Sequence, residues 1–177
     1  MSAALHLNQP DHGSNHASLA RMAALAVSVE DIFIDRAKSV LQVLMADPAE
    51  ILSLGLVAGT GSYTRRFLFG DGMMSAWAFA WGPGAATSIH DHHCPCVVAV
   101  LDGAVTESWY EPAGGETVRL VQSMVRTRGH IAALRPLRPN IHRMSNDGES
   151  RAVTVHIYGF NHKVVTSSID REYRLTA

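Results

Sequence analysis

The chain has very little cysteine and no excess of charge of either sign. Its two cysteines, Cys94 and Cys96, are separated by one residue, a spacing that hinders a disulfide between them. This argues against a disulfide-stabilised secreted scaffold and favours a reducing compartment. The 15 basic and 16 acidic residues leave a formal net charge of −1, and no Lys/Arg run is present that would attract phosphate backbones. We therefore expect no nucleic-acid partner.

Long apolar runs and internal repeats are also absent from the sequence. No window approaches the roughly 18 consecutive apolar residues of a membrane-spanning helix. The first residues do not lead from a charged segment into an apolar stretch, as a secretory signal does. We therefore expect a soluble, cytoplasmic protein without a membrane partner. No pattern in the sequence specifies an oligomeric state.

The length of 177 residues and the hydrophobic content of 47% fit a single domain with a substantial core. Residues 1–16 lack periodicity and are predicted to form a flexible tail, so the domain should comprise residues 17–177. Its first part, residues 17–58, is predicted to be helical. Apolar residues recur at threes and fours over residues 19–45, which predicts two amphipathic helices that meet near residues 27–30.

A short helix over residues 48–54, with Gly55 placed to end it, is predicted to complete the helical part. Short alternating runs, separated by Gly, Pro, Asn and Asp, follow over residues 59–177. Because helices come first and no helical crossovers separate these runs, we expect an α+β, mainly β protein built on a sandwich or small barrel. The predicted strands are residues 62–69, 75–81, 96–101, 105–109, 117–125, 131–134, 141–145 and 151–158.

The predicted strand over residues 75–81 has one bulky face and one face that is almost bare. Three aromatic residues alternate there with three alanines. Since successive side chains of a strand point to opposite faces, we expect the alanine face to leave room for a cavity. The aromatic residues are Trp77, Phe79 and Trp81, and the alanines are Ala76, Ala78 and Ala80.

Three histidines form the pattern that is most informative about function. On a strand, His90 and His92 project from one face while Asp91 turns away, and His142 follows 50 residues after His92. Neutral imidazoles suit Fe, Zn, Cu and Ni, and three of them without a carboxylate leave a divalent metal with its full charge. Such a site favours an anionic ligand, for example a thiolate, because a bound cation deprotonates a thiol.

The spacing of these histidines resembles the two motif boxes of the cupin superfamily. The boxes are Gly84-x5-His90-x-His92-x3-Cys96-x6-Gly103 and His142-x3-Asn146, with Cys96 where most cupins place a glutamate ligand. Five further stretches resemble the cysteine dioxygenase family of thiol dioxygenases, over about residues 40–160. They are Tyr63-Thr64-Arg65, Trp81-Gly82, Ser88-Ile89-His90-Asp91-His92, Ile141-His142-Arg143 and Val155-His156-Ile157-Tyr158. Gly159-Phe160 replaces the Ser-Pro-Pro turn of the animal enzymes, so the chain resembles the bacterial branch.

The resemblance implies a jelly-roll-like cupin barrel, preceded by helices, that holds one Fe(II). His90, His92 and His142 would be its ligands, with no protein carboxylate. The partners would be a small thiol and O2, and both oxygen atoms would be added to sulfur to give a sulfinic acid such as cysteine sulfinate. Neither an organic cofactor nor a reductant would be needed. A redox-active metal is required because triplet O2 reacts poorly with a closed-shell thiol.

The resemblance also assigns roles to residues around the metal. Thr154, His156 and Tyr158 share one unexpectedly polar face of the last predicted strand. Tyr158 would be the family's active-site tyrosine, and Thr154 and His156 would align it through hydrogen bonds. Cys96 aligns, with one residue of uncertainty, with the cysteine that animal enzymes crosslink to that tyrosine, so a crosslink to Tyr158 stays open.

Arg65 shares a face with Tyr63 and two phenylalanines, where a guanidinium needs a partner. By resemblance Arg65 would hold the substrate carboxylate, which favours L-cysteine, and Tyr63 is assigned to substrate binding with it. Arg66 points the opposite way and is expected to be solvated. Two alternatives stay open, namely a dioxygenase of 3-mercaptopropionate or another thiol carboxylate and, in a different class, a non-catalytic metal-binding cupin.

Overall fold

The computed structural model describes residue 21, residues 28–137 and residues 139–176. The predicted tail and most of the first predicted helix lie outside the described residues. Within them, helices α1 (Val29–Ala46) and α2 (Ala49–Leu52) precede ten strands. The strands are β1 (Tyr63–Gly70), β2 (Ser75–Trp81), β3 (Ile89–His92), β4 (Cys96–Asp102), β5 (Ala104–Gly114), β6 (Thr117–Thr127), β7 (Ile131–Leu134), β8 (His142–Ser145), β9 (Ala152–Tyr158) and β10 (Ile169–Leu175).

Helix α1 begins where the sequence supplies an N-terminal cap. The Ser28 hydroxyl oxygen accepts a hydrogen bond from the Asp31 amide at 3.0 Å, and the acidic first turn complements the helix dipole. The predicted short helix is present as α2, and Gly55 follows it with a φ of 64°, which a residue with a Cβ adopts only with strain. No helix in the described residues is both long and apolar enough to cross a membrane.

The ten strands form two sheets. One has the order β1-β2-β9-β4-β7, and the other has the order β10-β3-β8-β5-β6 and closes on itself through a short parallel pairing of β10 with β6. Helix α1 packs its buried face on the outside of the first sheet, where it contacts β4. The expected α+β, mainly β class with a small cupin-type barrel after the helices is confirmed.

The expectation about the alanine face of β2 was wrong. Ala76 and Ala78 are fully buried in the same core as Ile34 and Leu41 of α1. Small side chains on this face therefore allow the helix to approach the sheet closely, and they do not open a cavity. The opposite face, which carries Trp81 and its aromatic neighbours, points into the barrel.

All eight predicted strands are present, most with ends shifted by a residue or more and β5 extended to Gly114. Strand β10 was not predicted, because its many charged residues make the alternation of apolar and polar positions weak. It pairs antiparallel with β3, and side-chain hydrogen bonds add to this pairing. The Asp91 carboxylate accepts hydrogen bonds from the Arg171 amide and the Tyr173 hydroxyl, each at 2.8 Å. The C-terminal strand is thus fastened to the strand that carries two of the three motif histidines.

Candidate metal centre

The three motif histidines converge inside the barrel. His90 and His92 project from β3, and His142 on β8 is the direct cross-strand partner of His90. The Nε2 atom of His92 lies 3.1 Å from that of His90 and 2.9 Å from that of His142. All three side chains are buried, and together they form a group whose ligand atoms could hold one metal ion.

The outer ring nitrogens show why the inner ones are suited to a metal. His90 Nδ1 lies 2.9 Å from the Ser88 carbonyl oxygen, and His142 Nδ1 lies 3.4 Å from the Glu107 carboxylate. Each outer nitrogen must donate to these oxygen acceptors, so each Nε2 carries a lone pair that points to the shared centre. A single hydrogen on His92 Nε2 could satisfy one lone pair but not both. A cation between the three nitrogens would satisfy all of them.

The spacing of the nitrogens also favours a particular coordination geometry. With metal–nitrogen bonds of about 2.1 Å, a right angle at the metal separates two ligand nitrogens by about 3.0 Å, and a tetrahedral angle separates them by about 3.4 Å. The observed 2.9 and 3.1 Å are nearer to the right-angle value. His92 and each of its two neighbours therefore fit adjacent ligand positions on one metal ion.

Burial keeps the ligand nitrogens in their neutral form. Desolvation, followed by the neighbouring His142, lowers the pKa of His90 to about 4 and that of His92 to about 2. Both rings are therefore neutral near pH 7, which is the form that binds metals. The backbone of His92 is held in both directions by Asn140, whose side chain accepts from the His92 amide at 3.2 Å and donates to its carbonyl at 3.1 Å.

Glu107 on β5 is a functional candidate that the sequence reasoning missed. It is only 3% exposed, and its Oε2 accepts hydrogen bonds from Arg126 Nε at 3.0 Å and Nη2 at 2.8 Å. Burial tends to raise the pKa of Glu107, but the hydrogen bonds from His142 and Arg126 outweigh it and lower that pKa. Its carboxylate faces the outer nitrogen of His142, so it supports a ligand and does not occupy the centre. A charged residue on the same strand face as Val105 and Trp109 was the available signal.

Thr154, His156 and Tyr158 lie in one hydrogen-bonded chain on β9, as their shared face predicts. The Thr154 hydroxyl lies 2.8 Å from His156 Nε2, and His156 Nδ1 lies 3.2 Å from the Tyr158 hydroxyl. Trp81, which the sequence reasoning missed as a member, donates its indole N–H to Thr154 at 2.9 Å. Burial lowers the pKa of His156 to about 3, so the ring is neutral, with one donor and one acceptor nitrogen.

The donor and acceptor roles in this series of hydrogen bonds follow from the Trp81 indole, which can only donate. Thr154 accepts from Trp81 and, within the described residues, has only His156 Nε2 to receive its own hydrogen. His156 therefore carries its hydrogen on Nδ1 and donates it to the Tyr158 oxygen. The phenolic hydrogen of Tyr158 is consequently left for another acceptor, and the Ser168 side chain also makes a hydrogen-bond contact with this phenol. The Tyr158 ring lies 6.1 Å from the His92 ring, so this hydroxyl group belongs to the same site.

Cys96 lies directly opposite Tyr158 in the register between β4 and β9. Directly opposed residues of an antiparallel pair place their side chains on the same face, about 5 Å apart at Cβ. Burial raises the pKa of the Cys96 thiol well above its usual range, and burial, with Cys96 beside it, does the same for the Tyr158 phenol. Both groups are therefore protonated and adjacent at neutral pH.

Arg65 and Tyr63 lie at the other edge of the same sheet face. The Arg65 guanidinium is exposed and sits 5.1 Å above the Trp77 ring, and no acceptor within the described residues bonds it. The Tyr63 ring packs against Trp81 at 5.0 Å between centroids. Arg66 points the opposite way, as predicted; it is exposed, and it donates to the Leu54 carbonyl oxygen at 3.2 Å.

A partly enclosed cavity of about 40 Å³ joins the histidines to the hydrogen-bonded chain. Such a volume holds only a few water-sized groups, which fits a small substrate. Neither Arg65 nor Tyr63 lines it, so they lie outside its wall. The lining residues are Phe79, Trp81, Thr87, His90, His92, Cys96, Val98, Glu107, Ala132, Ala133, Leu134, His142, Met144, His156 and Tyr158.

A barrel that holds three converging imidazoles defines a cupin with a candidate metal centre. Among solved structures, a Klebsiella pneumoniae protein with a double-stranded beta-helix domain is 16% identical, with a TM-score of 0.48 over 60% of this chain and 84% of that one. Cysteine dioxygenase type 1 from Rattus norvegicus is 25% identical over 146 residues, 80% of this chain and 72% of the relative. The Homo sapiens protein is 24% identical over 148 residues, with the same coverage. The family model for cysteine dioxygenase type I matches residues 12–167, so the chain belongs to that family.

Proposed function

We propose that this protein is an Fe(II)-dependent thiol dioxygenase whose preferred substrate is L-cysteine. The reaction adds both atoms of O2 to the thiolate sulfur and gives a sulfinate, so atoms and electrons balance without a reductant. The observation that carries this proposal is the convergence of three buried Nε2 atoms, with separations of 2.9 and 3.1 Å from His92 to its two neighbours and the nearby carboxylate turned to an outer nitrogen. Family membership supports the same reading.

His90, His92 and His142 would hold the iron. Bound iron would supply a redox-active centre that lets triplet O2 react with a closed-shell thiol, which zinc in the same ligands could not do. Neutral ligands also leave the site positively charged, which favours binding of the substrate as its thiolate.

Tyr158 is proposed to donate its hydrogen bond to the substrate or to the oxygen that reacts with it. His156 already donates to the phenolic oxygen, and the Ser168 side chain also contacts the phenol. The phenolic hydrogen would turn to the substrate or to oxygen when they bind. The raised pKa of Tyr158 keeps that hydrogen in place at neutral pH. The neutral His156 ring and the Thr154 hydroxyl hold the phenol in one orientation, since each offers only one arrangement of donors and acceptors.

Arg65 is proposed to bind the substrate carboxylate, with Tyr63 beside it. The guanidinium rests on Trp77, and within residues 28–137 and 139–176 it has no acceptor of its own. A planar guanidinium group without an acceptor can donate two parallel hydrogen bonds to a carboxylate. This supports a thiol that also carries a carboxylate, and L-cysteine is the member of that class that the resemblance favours.

A thioether between Cys96 and Tyr158 forms part of the same proposal. Their direct cross-strand pairing supports a bond from Sγ to the ring carbon beside the hydroxyl. Forming that bond removes one hydrogen from each residue, and O2 would be the oxidant. Intact-mass measurement after turnover should show a loss of about 2 Da, and Cys96→Ser should abolish it. An unchanged mass would leave the dioxygenase proposal in place without the crosslink.

The decisive experiment is oxygen uptake by iron-loaded protein with a panel of thiols. The protein is loaded anaerobically with Fe(II) and then given air with L-cysteine, 3-mercaptopropionate or cysteamine, and sulfinate is quantified against O2 consumed. We expect equal amounts of both and the highest kcat/KM with L-cysteine. Zinc-loaded protein is the matched control and should be inactive. An iron-replete sample that forms no sulfinate from any thiol would indicate a non-catalytic metal-binding cupin. A higher kcat/KM with 3-mercaptopropionate than with L-cysteine would make 3-mercaptopropionate the substrate.

A further inference from the structure

The cavity at the candidate metal centre has two different ends. It crosses four adjacent strands of the first sheet, β2, β9, β4 and β7, a width of about 14 Å at the usual strand spacing. At the β2 end its wall is aromatic, with Phe79 and Trp81, and Arg65 lies one strand further out. At the β7 end the wall is made by residues 132–134.

The β7 end is apolar. In the register between β4 and β7, Ala132 pairs with Val98 and Leu134 pairs with Cys96. These four residues share the inward face of the sheet, because Cys96 and Val98 both line the cavity. The charged group that lines the cavity beside them is Glu107, and both of its oxygens already face hydrogen-bond donors on Arg126 and His142.

The β7 end also reaches the surface. Ala132 and Val98 are only partly buried although their side chains face inward, so solvent-sized molecules contact this wall. Strand β7 is the last strand of its sheet, whereas Arg65 lies on β1 at the opposite edge. A thiol bound through its carboxylate at the Arg65 edge would therefore leave the β7 end empty.

We propose that the β7 end of the cavity, walled by Val98, Ala132 and Leu134, is the entrance and holding site for dioxygen. O2 is small and apolar, so it gains from an apolar wall, whereas a charged amino acid would lose hydration there without a partner. The two reactants would then approach the histidines from opposite edges of the sheet. This inference rests on the proposed dioxygenase function, but part of its test does not depend on catalysis.

Two neighbouring alanines provide a matched pair of variants. Ala132→Ile adds three carbons to the inward face, and a β-branched side chain suits a strand. Ala133 also borders the cavity, but strand alternation turns its side chain to the outward face, where it is exposed and pairs with Val97, which packs against the helix. Ala133→Ile therefore adds the same atoms on the outward face. Equal melting temperatures for the two variants would show that both fold. A difference in gas binding between the two variants then reports on the inward-facing side chain.

The first readout is xenon, which binds against apolar cavity walls and requires neither iron nor a thiol. Crystals under xenon pressure should show an atom in the cavity against the side chains of Val98 and Ala132 in the wild type and in Ala133→Ile, and none in Ala132→Ile. The second readout is the rate at which nitric oxide, a surrogate for O2, binds the Fe(II)-loaded protein with L-cysteine present. That rate should fall about tenfold or more in Ala132→Ile and less than about twofold in Ala133→Ile.

The outcomes separate this inference from the proposed function. Absence of xenon at the β7 end of the wild type, or equal nitric oxide rates in the two variants, would overturn the dioxygen site. A rise in the KM for L-cysteine in Ala132→Ile, with the KM for O2 unchanged, would make this end the thiol entrance and would also overturn it. Failure of the dioxygenase itself would appear differently, as xenon bound at the β7 end of a protein that forms no sulfinate.

Discussion

Replacing Glu107 with glutamine should weaken iron binding without touching a ligand atom. In the wild type, Oε2 accepts two hydrogen bonds from Arg126 and Oε1 faces Nδ1 of His142. The amide of glutamine has one oxygen, which would accept the hydrogen bonds from Arg126. Its NH2 group would then face the hydrogen on His142 Nδ1. Two donors cannot bond each other. His142 would lose its support or move its hydrogen to Nε2, where it would block the lone pair.

The expected cost follows from the role of such supporting carboxylates. Loss of a hydrogen-bond partner behind a ligating histidine typically lowers metal affinity by about 10- to 100-fold, or about 1.4 to 2.8 kcal/mol. The assay is competition for Fe(II) against a chromophoric chelator under anaerobic conditions, which gives the dissociation constant directly. A change in melting temperature is also expected, because Arg126 would lose its charged partner, and it must be measured separately.

The matched control lies on the same strand. Glu111→Gln also removes a carboxylate that pairs with an arginine, since Arg119 Nε lies 2.5 Å from Glu111 Oε1. This pair is exposed and, among the described residues, contacts no histidine. We expect the control to bind Fe(II) as the wild type does. A dissociation constant for Glu107→Gln within about twofold of the wild type would refute the supporting role of the carboxylate.

Three other substitutions test the site. Tyr158→Phe should lower kcat about 100-fold while changing the KM for L-cysteine little, as steady-state kinetics would show, because the hydroxyl that donates to the reacting groups is lost. Arg65→Ala should raise the KM for L-cysteine much more than that for cysteamine, with Arg66→Ala as control, and equal losses for both thiols would exclude carboxylate binding. Burial lowers the pKa of His156 to about 3 in the folded protein, below its value in the unfolded chain. At acid pH the unfolded chain therefore binds a proton that the folded protein does not, so the free energy of unfolding decreases as pH falls. Between pH 6 and 4 the metal-free protein should lose stability by up to about 1.4 kcal/mol per pH unit from this group, and His156→Gln should flatten the denaturation profile.

The histidine pair could be predicted from sequence because a strand fixes which side chains share a face. The same rule placed Thr154, His156 and Tyr158 together, and the structure joins them by hydrogen bonds. The rule states which face a side chain is on but not what covers that face. The alanines of β2 show this limit, since the helix that fills the space beside Ala78 is distant in sequence.

Residues that act through another side chain were harder to predict. Glu107 and Trp81 each lie on a predicted strand, but their roles depend on which strand becomes the neighbour. Glu107 reaches His142 because β5 pairs with β8, and Trp81 reaches Thr154 because β2 pairs with β9. Pairings between strands more than 30 residues apart leave no local pattern, so only the assembled sheets reveal these contacts.

The alternation of side chains along β3 places the ligand histidines on one face and the contact with strand β10 on the other. The alternation that turns His90 and His92 inward turns Asp91 outward, and there its carboxylate accepts hydrogen bonds from the Arg171 amide and the Tyr173 hydroxyl. Buried carboxylates need such partners, so an outward Asp91 requires a covering strand. The spacing of the Nε2 atoms depends on how β3 is held, and β3 is held on one side by β8 and on the other by β10. The C-terminal strand is therefore part of what positions the metal ligands, since it pairs Glu172 with His90 and Ile169 with His92.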